Sequence, residues 1–272
     1  MRYGLLQCAA VTVAVLGATT ARAVDADAVG GVWHFDEGSG DVVADASTSG
    51  NDGTLVGSPE WVGGHDGDGL RFAFDDANYA LVPVSHSNAA TVMMWALYTG
   101  IPTGNIGLVH AQATEGDLGA PDTKMIGVWL ENSNLLWGRI IDPAGALVNL
   151  PKNAELQPDT WFHIALVVDA AAGKVSQWVD GSMVGEADYG GELGEFAFLK
   201  LGRQGTETWE GILDEVGYFT EALSQDDITG IMDAGLQSVT TAVEARGKAA
   251  TAWGAIKGDT RADAAVGDDS DR

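Results

Sequence analysis

Apolar residues along this chain recur in short runs, among them Val32 to Phe35, Leu70 to Phe74, Tyr79 to Val82, Val92 to Tyr98 and Trp161 to Val168. Clusters of Gly, Pro, Asn and Asp separate them. Runs of this length and spacing predict about a dozen strands. None is followed by an apolar pattern of crossover-helix length, so a parallel α/β sheet is disfavoured and an antiparallel sandwich expected. Asp180-Gly181, between Lys174 to Val179 and Met183 to Glu186, is the dipeptide that a type I′ hairpin needs for its two positive φ angles. One helix is predicted over 225–234. Ser224 is its N-cap, Asp227 stands in capping-box position, Leu223 and Ile228 form a hydrophobic staple, and Gly235 is the stop. Past Leu236 the pattern dissolves, and residues 237–272 read as a flexible acidic tail.

The start of the chain reads differently. Met1 and Arg2 precede the apolar run Leu5 to Gly17, and Ala21-Arg22-Ala23 supplies a small-x-small cleavage pattern, so residues 1–23 read as a secretory signal and the exported chain would begin at Val24. The apolar run is shorter than the ~20 residues that a spanning helix needs, so no membrane insertion is expected. Cys8, the one cysteine, lies inside this signal, which leaves neither disulfide nor thiol chemistry for the exported protein. The expected location is secreted, extracellular or in the cell envelope.

Charge narrows the partners. The chain carries 39 acidic and 14 basic side chains, a formal charge of −25. Phosphate backbones and anionic lipid would repel it, because binding there relies on Lys and Arg displacing counterions. Nucleic acid is therefore not an expected partner.

Four blocks of sequence, in order, carry a resemblance. The first is Val32-Trp33-His34-Phe35-Asp36-Glu37-Gly38-Ser39-Gly40 with Asp45-Ala46-Ser47-Thr48-Ser49-Gly50-Asn51-Asp52-Gly53-Thr54-Leu55. Next come Gly69-Leu70-Arg71-Phe72 with Tyr79-Ala80-Leu81-Val82-Pro83. The third is Thr160 to Asp169 leading into Trp178-Val179-Asp180-Gly181, and the fourth Leu201-Gly202 through Gly211-Ile212-Leu213-Asp214-Glu215-Val216 to Ala222-Leu223-Ser224. Together, over 28–236, they resemble the laminin-G-like, or concanavalin A-like, jelly-roll domains common in bacterial secreted proteins. The resemblance implies an all-β, antiparallel two-sheet jelly-roll sandwich with one short helix near its end.

It also implies a site for structural calcium. In such domains a calcium ion is often held between an amino-terminal Asp/Gly/Asn loop and the Asp of a late strand; carried over, the ligands are Asp45, Asn51 and Asp214. These are hard oxygen donors of the kind calcium takes, while the alternative for Asp45 and Asn51 is a pair of Asx turns. Hydrolases resembling this fold place alternate carboxylates on one strand face, and that spacing is missing here. Asp214 and Glu215 are adjacent, so on a regular strand they point to opposite faces, and Glu210 has no partner two residues on. The five histidines show no metal-binding spacing and no Gly-x-Ser-x-Gly elbow occurs, so no catalytic residue is expected.

Tryptophan supplies the remaining signal. Trp33, Trp95 and Trp161 lie in apolar runs and are expected in the core. Alternation sets Trp178 with Ser176 and Asp180, away from Val175 and Val179, so Trp178 and Asp180 are expected to face solvent as ligand contacts. Taking Glu131 to Asn134 as a turn and pairing Leu130 with Leu135 puts Trp129 and Trp137 on opposite faces, with Trp129 as a third ligand candidate. The loop from Gln112 to Thr123 is either a binding rim or a mobile acidic loop. The expected function is recognition of a glycan or other cell-surface ligand without catalysis. An adhesive or structural envelope module that binds protein is the alternative class, and a glycoside hydrolase the third.

Overall fold

A computed structural model describes residues 24–74, 78–100, 104–115, 126–131, 133–204 and 207–241. The expected signal (1–23), most of the loop from Gln112 to Thr123, and the tail from 242 lie outside the described residues. In chain order the strands are β1 (Val29–Trp33), β2 (Val42–Val43), β3 (Gly53–Val56), β4 (Glu60–Gly63), β5 (Asp68–Phe72), β6 (Tyr79–Pro83) and β7 (Ala90–Tyr98). They continue with β8 (Ile106–Gln112), β9 (Ile126–Leu130), β10 (Leu135–Ile141), β11 (Leu147–Asn149), β12 (Ala154–Glu155) and β13 (Trp161–Asp169). After these come β14 (Lys174–Val179), β15 (Ser182–Asp188), β16 (Phe198–Leu201), β17 (Arg203–Gln204), β18 (Glu207–Thr208) and β19 (Gly211–Phe219), then helix α1 (Gln225–Ala234).

Among the described residues every strand pairing is antiparallel, and two sheets face each other. The first runs β15-β14-β13-β7-β19-β5-β4, with β1 also paired to β19; the second runs β11-β10-β9-β8-β16-β6-β3-β2, with β12 on β10. Such an order, in which sequence-distant strands are neighbours, is that of a jelly-roll sandwich.

The core between the sheets follows from alternation. Met94, Ile164, Leu166, Leu213 and Val216 point inward from the first sheet and Val82, Leu108, Val128, Leu136 and Leu199 from the second, all in one buried cluster. Large aromatics are admitted because their polar ends find partners: Trp33 Nε1 donates to the Asn51 carbonyl (3.0 Å), Trp209 Nε1 to Leu97 (3.2 Å), and Tyr98 Oη to Leu156 (3.0 Å).

Local signals read from the sequence recur in the structure. Asp180 and Gly181 sit at φ 47° and 71° between β14 and β15, the two positive φ angles of the hairpin. Helix α1 spans Gln225–Ala234 with both bonds of its capping box formed by Ser224 and Asp227. Packing, however, continues past 236: Val239 and Thr240 are buried, so the ordered domain reaches further than its expected boundary.

Candidate functional site

Helix α1 divides the outer face of the first sheet. One transverse row across β19, β7, β13 and β14 contains Gly217, Met93, Ala165 and Trp178. The helix and the segment after it lie over this row, so that Met93, Ala165 and Trp178 share one buried cluster with Ile228, Ile231 and Leu236. The next row contains Asp214, Trp95 and His163, ending at Asp180, which exchanges backbone and side-chain bonds with His163. Among the described residues no helix covers this second row.

These rows correct the expectation for Trp178. It does face outward from the sheet, but it is 7% exposed, its Nε1 donating to Ser176 Oγ (2.9 Å) under α1. Asp180 is exposed, and its Oδ1 accepts from the His163 backbone N–H (2.9 Å). Conversely Trp95 and Trp161, expected in the core, are half-buried on the uncovered half. Alternation was read correctly; what lies above each row was not.

The uncovered half is built around the turn Gly64-His65-Asp66-Gly67 between β4 and β5. Asp214 Oδ2 accepts from the backbone N–H groups of His65 (2.7 Å) and Asp66 (2.9 Å), and Oδ1 from that of Glu215 (2.8 Å). A Cβ at Gly64 would sit 2.5 Å from Asp214 Oδ2, so only glycine lets the turn approach this carboxylate. The result is an exposed His65 ring stacked on Trp95 at 3.6 Å and 10°, with Trp161 edge-on at 5.6 Å. His163 meets Trp95 edge-on at 5.3 Å.

A bulge between Asp214 and Gly217, with Glu215 at φ 48°, breaks strand alternation here. Glu215 therefore does not lie opposite Asp214 across the sheet as a regular strand would require. Its carboxylate bonds His34 Nδ1 (2.5 Å) and the Leu236 N–H (3.2 Å), on the outer side with Asp214. A left-handed φ at a non-glycine residue costs on the order of 1 kcal/mol, which these bonds offset.

Electrostatics of the site follow from burial. Burial pushes the Asp214 carboxyl up to about 7 against the pull of its three N–H donors. His34 is raised by its bond to Glu215, whereas burial, then His65, lowers His163 to about 4. The buried His163 Nδ1 bonds no described residue.

The three residues expected to hold calcium do not fit one ion. Asp45 binds the outer edge of β1: Oδ1 accepts from Val32 (2.9 Å) and Ser47 (2.8 Å), Oδ2 from Asn51 (2.8 Å). Asn51 Nδ2 donates to the Gly30 carbonyl (2.8 Å). Asp214 lies on β19, on the other side of β1, with its oxygens turned to the 64–66 turn. Among the described residues no three His, Cys, Asp or Glu side chains group as a metal site. The tie between the first strand and the last is the β1–β19 ladder itself, Trp33 opposite Val216.

On the second sheet the expected register slips by one. Leu130 pairs with Leu136 and Trp129 with Trp137, because Leu135 closes onto Glu131 and Asn134 takes φ 63° in the turn. Trp129 and Trp137 therefore share a face, stacked at 4.7 Å and 17°, and Trp129 is only 3% exposed.

The family model described as concanavalin A-like lectin/glucanases superfamily matches residues 73–229. Among solved structures, domain 4 of a GH43 extracellular arabinanase from Geobacillus stearothermophilus, in complex with arabinotriose, is similar at 16% identity and a TM-score of 0.60. That match covers 75% of this chain and 98% of the domain. The binding domain of Paraclostridial mosquitocidal protein 1 aligns at 12% identity and TM-score 0.59, covering 77% of this chain and 52% of that one. Trypanosoma rangeli sialidase aligns at 18% identity and TM-score 0.58, over 80% of this chain and 34% of the sialidase. No curated protein matches.

Proposed function

Because the chain belongs to the concanavalin A-like lectin/glucanases superfamily, we propose that it is a carbohydrate-recognition domain, without catalysis, whose ligand rests on the uncovered half of the first sheet. The observation that supports this reading is the half-exposed pair Trp95 and Trp161 framing the exposed His65, with exposed Asp66 and Asp180 beside them. A sugar offers an apolar ring face and a rim of hydroxyls; indole and imidazole faces meet the first, carboxylates the second. The arabinanase domain solved with arabinotriose lends the same ligand class.

The non-catalytic part rests on the engagement of the carboxylates. Asp214 is fully buried with both oxygens taken by N–H donors, and Glu215 is paired with His34, so neither is presented to a glycosidic bond. Export completes the reading, and amino-terminal sequencing of secreted protein should begin at Val24. A glycan array on the exported chain should give hits that Trp161→Ala removes, with no reducing sugar released. An array without hits beside a captured protein partner would favour the adhesive alternative, and sugar release lost in Glu215→Gln would make the protein an enzyme.

A further inference from the structure

The second sheet carries a face with opposite chemistry. Its register sets Arg139 of β10 beside Gly127 of β9, His110 of β8 and Lys200 of β16 in one outward row, next to the stacked Trp129 and Trp137. Six Lys and Arg residues lie among the described residues, and four of them, Arg139, Lys152, Lys200 and Arg203, belong to this face. In a chain of charge −25 that gathers most of the described cations on one face. Lys200 and Arg203 are buried over Tyr79 and act within the fold; Arg139 is half-buried and Lys152 exposed.

The groups this face offers are donors. Arg139 lies over both indoles, Cζ 4.8 Å from Trp137 and 5.4 Å from Trp129. It gives Nε to Asn149 Oδ1 (2.7 Å), its cross-strand neighbour, while its Nη groups bond no described residue. Trp137 Nε1 is buried and likewise bonds none. Lys152 Nζ lies over Trp137 at 4.5 Å and pairs with Glu131. Glu207 is the other acidic group near Arg139, turned to Asn105.

We infer that this face is a second binding site, for a carboxylated saccharide whose carboxylate lies across the free fork of Arg139 beside Lys152, with Glu131 as its internal competitor. A planar fork takes a carboxylate through two parallel charge-assisted bonds, whereas a neutral sugar offers it only uncharged hydroxyls. Asn149 and Glu131 flank it with groups that bond hydroxyls.

Calorimetric titration of the full chain carrying Trp161→Ala, which removes the site proposed on the first sheet, with an oligogalacturonate, a neutral oligogalactose of equal length and a sulfated oligosaccharide tests this. The acidic oligomer should bind, weakening steeply with salt, and the neutral one should not. Arg139→Met should weaken binding at least tenfold and Lys152→Met several-fold, whereas Glu131→Gln, by releasing Lys152, should strengthen it. Equal binding of the neutral oligomer, tighter binding of the sulfated one, or no binding of the acidic one would overturn the inference. If Arg139→Met fails to fold, the two exposed-side variants decide, and unchanged affinity in both would also overturn it.

Discussion

Two neighbouring rows on one sheet face, Met93-Ala165-Trp178 and Trp95-His163-Asp180, come from β7, β13 and β14 with the turn after it and obey the same alternation, yet the first is wholly buried while the second, around a buried His163, reaches solvent at Trp95 and Asp180. The difference is α1, whose apolar Ile228 and Ile231 settle on the first row. Outward direction within a strand is a property of the strand; exposure is a property of what packs above it. A tryptophan under the helix serves stability, and one beside it keeps part of its ring at the surface.

The sharpest way to break this contrast is Trp178→Ala. Emptying a buried indole site should cost about 4 kcal/mol, read from urea unfolding, while saccharide affinity at the open row stays within twofold. A large affinity loss with little change in stability would reverse the assignment of the two rows.

Next in size is the acid limb carried by His163. Its pKa falls from 6.5 to about 4 on folding, so between those values the unfolded chain binds the extra proton and stability declines as pH falls. The contribution lost by pH 4 is about 3 kcal/mol. Asp214 slopes the opposite way, since its raised pKa favours the folded state at lower pH. Comparing wild type with His163→Gln cancels that slope, and the difference in unfolding free energy should narrow from pH 7 to pH 4.

Asp45→Ala leaves three backbone N–H groups short of their acceptor and should cost about 2 kcal/mol. Chelation should leave the melting temperature of the wild type unchanged; a fall of several degrees would restore calcium as a ligand of this chain.

The smallest effects divide the rows again. Ser224→Ala removes the α1 cap at about 1 kcal/mol and should leave binding intact. Trp161→Ala, at a half-exposed position, should cost a similar ~1 kcal/mol in stability but at least tenfold in saccharide affinity. If the two variants behave alike in binding, the open row is not the site.

Much of the site was within reach of the sequence and was divided wrongly. The Trp95 and Trp161 runs were visible, but a run of apolar residues looks alike whether its outward face is roofed or bare. The His65 turn carried a signal, glycines on either side of His-Asp, without any hint that Asp214, far along the chain, would fix it.

By itself the sequence determined the period-two strands, the Asp180-Gly181 hairpin and the capped helix at 225–234, because each rests on residues a few positions apart whose preferences act locally. The tertiary structure alone decided the Trp129–Trp137 register, the bulge that turns Glu215 to His34, and the placement of α1 over Trp178 rather than Trp161. Those depend on contacts between distant segments, where a shift of one residue exchanges core for surface.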